Sequence, residues 1–111
     1  MTRNKVYGML GIAAKAGKVK SGELAATEQI RAGRAQLVLI AEDASGNTRD
    51  RFASMCRGYS AVSCIYGTKE DLGRSIGKAE RSVLAVTDEG LAEAIIKNLK
   101  EAEAKIYGYG K

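Results

Sequence analysis

Apolar positions Val6, Met9, Leu10, Ala13 and Ala14 recur at i, i+3, i+4, i+7 and i+8, which predicts a helix from Asn4 to about Ala16 with one buried face, stopped by Gly17. The stretch GKVKSG is short and polar, and predicts at most a brief strand or extended link centred on Val19. A second helix with an alanine-rich face is expected to start near Ser21 or Gly22, with Ser21 as N-cap, and to run through Ile30 to Gly33. The run from Leu37 to Ala41 is continuously apolar and bounded by polar residues, the pattern of a strand covered on both faces. It ends in Glu42 and Asp43, followed by turn-forming Ser45, Gly46 and Asn47. Asn47 with Asp50 predicts the cap of a third helix, whose inward face is Phe52, Met55, Cys56 and Tyr59 and whose end is Gly58.

The second half repeats the alternation. Residues 61–67, AVSCIYG, read as a strand; Thr68 to Asp71 cap a short helix carrying Leu72 and Ile76; GRSIGKAER is a loop. Residues Ser82 to Thr87 read as the last strand, and Asp88 caps a long helix with Leu91, Ala94, Ile95, Leu99 and Ala102 along one side. Strands alternating with helices predict an α/β fold: a single-domain three-layer α/β/α sandwich with a central mixed four-stranded sheet. The expected domain spans residues 1–105, with 106–111, IYGYGK, as a frayed tail. A chain of 111 residues with 45% hydrophobic content suits one such core. No stretch reaches the roughly 18 apolar residues of a membrane span, and the first residues have too weak an apolar centre for a secretory signal, so a soluble cytoplasmic protein is expected.

Composition narrows the chemistry. The chain has no histidine, which removes the commonest general base and every Ser-His or Cys-His nucleophile pair. Cys56 and Cys64 have no CxxC spacing, so reduced buried thiols are expected rather than a zinc site. These features predict no enzyme and no cofactor. The net charge is +5, and residues 1–81 hold 14 Lys/Arg against 8 Asp/Glu, so the basic excess belongs to the body of the chain and, on charge alone, fits either a polyanionic partner or a solvated basic surface with none.

Three stretches are candidates for a site. In GKVKSGE, residues 17–23, Lys18 and Lys20 precede Ser21, Gly22 and Glu23 at a helix start, where backbone N–H groups can meet a phosphate. The glycine-to-lysine spacing differs from a nucleotide phosphate loop. The pair Glu42 and Asp43 could bind a metal or trade protons, or simply cap the next helix, and the structural role is the stronger reading without a third ligand. The loop from Arg74 to Arg81 sets Arg74, Lys78 and Arg81 around Gly73 and Gly77. Ile76 or Ala79 there could pack on an unstacked base, or Ile76 could be buried. Phe52 and Tyr59 are explained by the core, and no strand pattern of exposed aromatics is present.

The blocks GKVKSGE, IRAGRAQLVLIAEDASGNT, LGRSIGK and SVLAVTDEGLA resemble the YlxQ-type bacterial branch of the kink-turn-binding ribosomal-protein superfamily, over roughly residues 4–100. The resemblance implies an α/β/α sandwich and a non-enzymatic RNA-binding protein, with structured RNA, kink-turn-like or ribosomal, as partner. It implies that RNA is held by the start of the second helix, the loop after the central strand and the loop before the last strand. Carried onto this chain, these are Lys18, Lys20, Ser21, Gly22 and Glu23; Ser45 with Gly46 and Asn47; and Arg74, Ile76, Gly77, Lys78 and Arg81. The family signature GxNExxK is kept only at Gly22, because Leu24, Ala25 and Glu28 stand at the asparagine, glutamate and lysine. Base-edge hydrogen bonds worth about 1–3 kcal/mol each are thereby lost. The alternative is a module of the same fold that docks on ribosomal or transcription proteins. Neither reading involves a membrane or a small-molecule substrate.

Overall fold

Two runs of four residues, Leu37–Ile40 and Val83–Val86, are buried at every position, so both faces of the sheet they share must be covered. In the computed structural model, which describes residues 2–109, the cover comes from five helices. The elements in order are α1 (Thr2–Lys15), β1 (Val19–Ser21), α2 (Glu23–Arg31), β2 (Leu37–Ile40), α3 (Gly46–Gly58), β3 (Ser63–Ile65), α4 (Lys69–Ser75), β4 (Val83–Val86), α5 (Glu89–Glu101) and β5 (Ile106–Tyr107). The sheet order is β1-β4-β2-β3-β5, with β2 and β3 parallel and every other pair antiparallel. The expected α/β/α sandwich with a mixed sheet is what forms, with five strands rather than four.

The added strand corrects the expectation of a frayed tail. Backbone pairing of Ser63 with Tyr107 and Cys64 with Ile106 occupies the outer edge of β3. The Tyr109 hydroxyl donates to Glu93 Oε1 at 2.9 Å, and Lys100 Nζ stands 4.2 Å from the ring centroid. The glycines of IYGYGK suggested disorder, but Gly108 adopts a left-handed φ of 83°. Expectations for Gly110 and Lys111 lie outside the described residues.

Helix starts follow local chemistry. Thr68 Oγ1 accepts from the Asp71 N–H at 3.1 Å and Asp88 Oδ2 from the Leu91 N–H at 2.8 Å, as the sequence predicts. The cap of α3 is Ser45, whose Oγ accepts from the Thr48 N–H at 3.1 Å, two residues before the predicted Asn47. Ser21 caps nothing: it is the last residue of β1, and Gly22, with φ 97°, takes the N-cap position without a side-chain bond. The core gathers Leu10, Ile30, Phe52, Leu72 and Leu99 with the two central strands. Tyr59 lies past the end of α3 and is half-exposed, not inward. In α5 the buried face is Ala92, Ile95, Ile96 and Leu99, while Leu91, Ala94 and Ala102 are partly buried. Cys56 and Cys64 are free and buried. Among the described residues no helix is long and apolar enough to cross a membrane.

Candidate nucleic-acid interface

Strand direction assembles the site. Because β4 runs antiparallel to both neighbours, the C-terminal ends of β1 and β2 meet the N-terminal end of β4, with Ser21 opposite Leu84 and Ile40 opposite Val83. The Gly22 N–H donates to Val83 O at 2.9 Å and the Ala41 N–H to Ser82 O at 2.8 Å, so the start of α2, the β2–α3 loop and the α4–β4 loop share one margin. Arg81 staples them. Its Nε donates to Ser21 Oγ at 3.1 Å, its Nη1 to the Glu80 and Ala79 carbonyls at 2.9 and 3.2 Å, and its backbone N–H to Lys69 O at 3.0 Å.

The α4–β4 loop folds back against Gly73. A Cβ there would lie 1.9 Å from Ala79 O, so only glycine admits this approach. The Lys78 N–H donates to Gly73 O at 2.8 Å, and Gly77 takes the left-handed φ of 73° that turns the chain. Ile76 closes α4 as its C-cap and packs partly buried against the core, which makes it an anchor for the loop. Arg74 is exposed but ion-paired, 3.1 Å from Glu70 and 3.3 Å from Asp71. Lys78 is exposed and forms no ion pair among the described residues, and the same holds for Lys20 on β1.

Lys18 falls outside this grouping. Its carbonyl accepts from the Thr87 N–H at 2.8 Å, where β4 ends, so it sits at the opposite margin. Three residues of strand separate it from Ser21 by about 10 Å. Glu23 belongs to the margin as a clamp: its carboxylate ion-pairs with Arg51 and accepts from Thr48 Oγ1 at 3.4 Å, tying α2 to α3. Ser45 is committed to its cap and also donates to Thr48 Oγ1 at 3.0 Å.

The acidic pair is occupied by backbone. The Glu42 N–H donates to Gly67 O at 2.7 Å while its Oε2 accepts from the Gly67 N–H at 3.2 Å. Asp43 Oδ1 accepts from the Lys69 N–H at 2.8 Å, so it caps α4 rather than the next helix in the chain. No cluster of three or more His, Cys, Asp or Glu able to hold a metal occurs among the described residues. Burial pushes the Cys56 and Cys64 thiols up to about 11, the Glu42 carboxylate adding to the rise at Cys64. Thr48 and Arg51 were missed in the sequence, because each acts through Glu23 on another segment. Leu24, which stands at the signature asparagine position, is exposed at 77% on the first turn of α2.

A mixed sheet between helical layers, with three loops stapled at one margin, defines the class. The chain belongs to the ribosomal protein L7Ae/L30e/S12e/Gadd45 family, whose model matches residues 4–96. Within that family it is a YlxQ-type bacterial member. It is 44% identical over 93 residues to the RNA-binding protein YlxQ of Bacillus subtilis (strain 168), covering 84% of this chain and 93% of that one. It is 33% identical over 106 residues to the large ribosomal subunit protein eL8 of Cenarchaeum symbiosum (strain A), covering 95% of this chain and 84% of the relative. A Bacillus halodurans protein of unknown function superposes with a TM-score of 0.83 at 30% identity, over 86% of this chain and 97% of that one. The Giardia lamblia 15.5kD RNA binding protein shares the fold, with a TM-score of 0.75 at 20% identity over 92% and 88% of the two chains.

Proposed function

We propose that this chain is a non-enzymatic, ribosomal-type RNA-binding protein of the cytoplasm that grips a structured RNA, kink-turn-like or ribosomal, at the margin stapled by Arg81. One observation supports the reading above the others: Lys20 and Lys78, exposed and without ion pairs among the described residues, sit on segments that Arg81 and the β1–β4 ladder hold together. Gly22 and Gly77, with no atom within 4 Å of where a Cβ would stand, let a sugar-phosphate backbone come close. Lys20 and Lys78 meet phosphates, Ser21 and Ser45 line the groove, and Glu23, Ile76 and Arg81 hold its shape. Arg74 is neutralised by its two carboxylates, and Lys18 contributes only long-range attraction. Leu24 and Ala25 offer no base-edge donors, so recognition relies on RNA shape and backbone.

Electrophoretic mobility shifts with a kink-turn RNA and a ribosomal RNA fragment across a salt series test this. Binding that weakens with salt, and falls further in Lys20→Glu and Lys78→Glu, is expected. Absence of binding to either RNA at low salt sinks the proposal. Exposed Leu24 favours one second reading, a docking module for ribosomal or transcription proteins. Partners retained in a nuclease-treated pull-down, and lost in Leu24→Glu, would select that reading.

A further inference from the structure

The edge of the sheet opposite β1 carries features that the stapled margin does not use. A cavity of about 1010 Å³ opens between the C-terminal half of α3 and the β3–β5 edge, lined by Cys56, Arg57, Ser60, Ser63, Ile65 and Tyr107 among others. That is at the upper end of the range of small-ligand sites. Its lining includes no carboxylate, one guanidinium and three hydroxyl side chains over an apolar floor. The ring of Tyr107 is half-exposed at 49%, on the residue paired with Ser63, so aromatic face and hydroxyl share one side of the strand pair. Tyr59, 51% exposed, stands two residues beyond Arg57 at the C-cap of α3.

Charge continues along this edge. Arg57 is exposed and ion-paired with no described residue. The loops before β2 and β3 run side by side, since the Val38 N–H donates to Val62 O at 2.8 Å, which brings exposed Arg34 to the same end as Arg57. Arg57 in the last turn of α3 also complements the helix dipole, but that role leaves its outward fork of donors available. A partly apolar floor, hydroxyls, an exposed aromatic ring and the guanidinium of Arg57 suit one ligand chemistry: a flat heteroaromatic base attached to a phosphate.

We propose that this cleft is a second RNA contact that takes one unpaired nucleotide, its base against Tyr107, its ribose hydroxyls near Ser60 and Ser63, and its phosphate on Arg57. The proposal rests on the reading of the chain as an RNA-binding protein, and extends it to a bridge between a structured element at one edge and a single strand at the other. Binding of a fluorescently labelled oligouridine to the full chain, measured by anisotropy beside binding of a kink-turn RNA, separates the two. Arg57→Glu and Tyr107→Ala should each weaken oligouridine binding about tenfold, while Lys78→Glu should weaken the kink-turn RNA more than oligouridine. Tyr107→Phe, which keeps the ring, should retain affinity yet lose part of the ligand-induced quenching of tyrosine emission, in a chain with five tyrosines and no tryptophan. That variant guards against a Tyr107→Ala protein that fails to fold. Kink-turn binding without oligouridine binding overturns the second contact alone, and absence of both overturns the underlying reading. The second contact is also overturned if oligouridine affinity is unchanged in Arg57→Glu, if Tyr107→Phe leaves the ligand-induced quenching intact, or if affinity falls equally in Lys78→Glu. Displacement by uridine monophosphate at equal concentration would reassign the cleft to free nucleotides. Capture of an acidic peptide in place of oligouridine would reassign it to protein.

Discussion

Gly73 shows how one missing methyl group shapes the α4–β4 loop. With Ala79 O where a Cβ would stand, Gly73→Ala must push the α4–β4 loop outward. The expected cost is about 1–3 kcal/mol, read as a lower urea midpoint, together with weaker RNA binding even though no charge is removed. The two thiols set a pH limit. Their ordinary value is 9.0 and burial holds them near 11, so between those values the unfolded chain releases protons that the native chain keeps. Stability therefore falls as pH rises through that window and is unaffected by the thiols below it. Urea midpoints on either side of pH 9 should show the fall, and Cys64→Ala should reduce its steepness. Residue roles were legible where the partner is near in sequence: Thr68 and Asp88 bond three residues ahead and were read correctly. Ser21 was misread because its hydroxyl partner, Arg81, is 60 residues away.

At the scale of elements, the ladder between β1 and β4 decides which lysine lies nearer the margin. Lys18 and Lys20 are two positions apart and look equivalent in the sequence, yet Lys18 flanks the far end of β4 while Lys20 pairs with Ala85 within it. Removing one phosphate contact changes the slope of log affinity against log salt by about 0.7–0.9. Lys78→Ala and Lys20→Ala should each show that change with the RNA bound at the margin, and Lys18→Ala should not. Arg81→Lys is expected to behave unlike a conservative change. An ammonium cannot reach Ser21 and two carbonyls in the same fork, so affinity falls although the charge is kept. The helices and central strands were readable because their apolar periods are local. The stapling was not, since it depends on which strand lies beside which.

For the whole molecule, Ile106 and Tyr107 are part of the sheet. Deleting residues 106–111 removes the outer partner of β3 and the Tyr109 contacts with Glu93 and Lys100, so a lower melting temperature with retained helical circular dichroism is expected. A short edge strand beyond β3 also blunts an edge that would otherwise be open to pairing with another chain. Concentration-dependent aggregation of the truncated protein would report that loss. At the margin, Glu23 and the Glu70–Asp71 pair take up Arg51 and Arg74, so counting charges along the chain overstated the number of cations free to meet RNA there.

The antiparallel placement of β4 between β1 and β2 has a consequence in time as well as in space. Residues 19–21 and 37–40 can align only once residues 83–86 have arrived between them, so every loop of the margin waits on a contact of high sequence separation. During synthesis the first three-quarters of the chain carries all the segments of the candidate interface without the strand that aligns β1 with β2. RNA affinity should therefore switch on late and all at once as the nascent chain lengthens past β4.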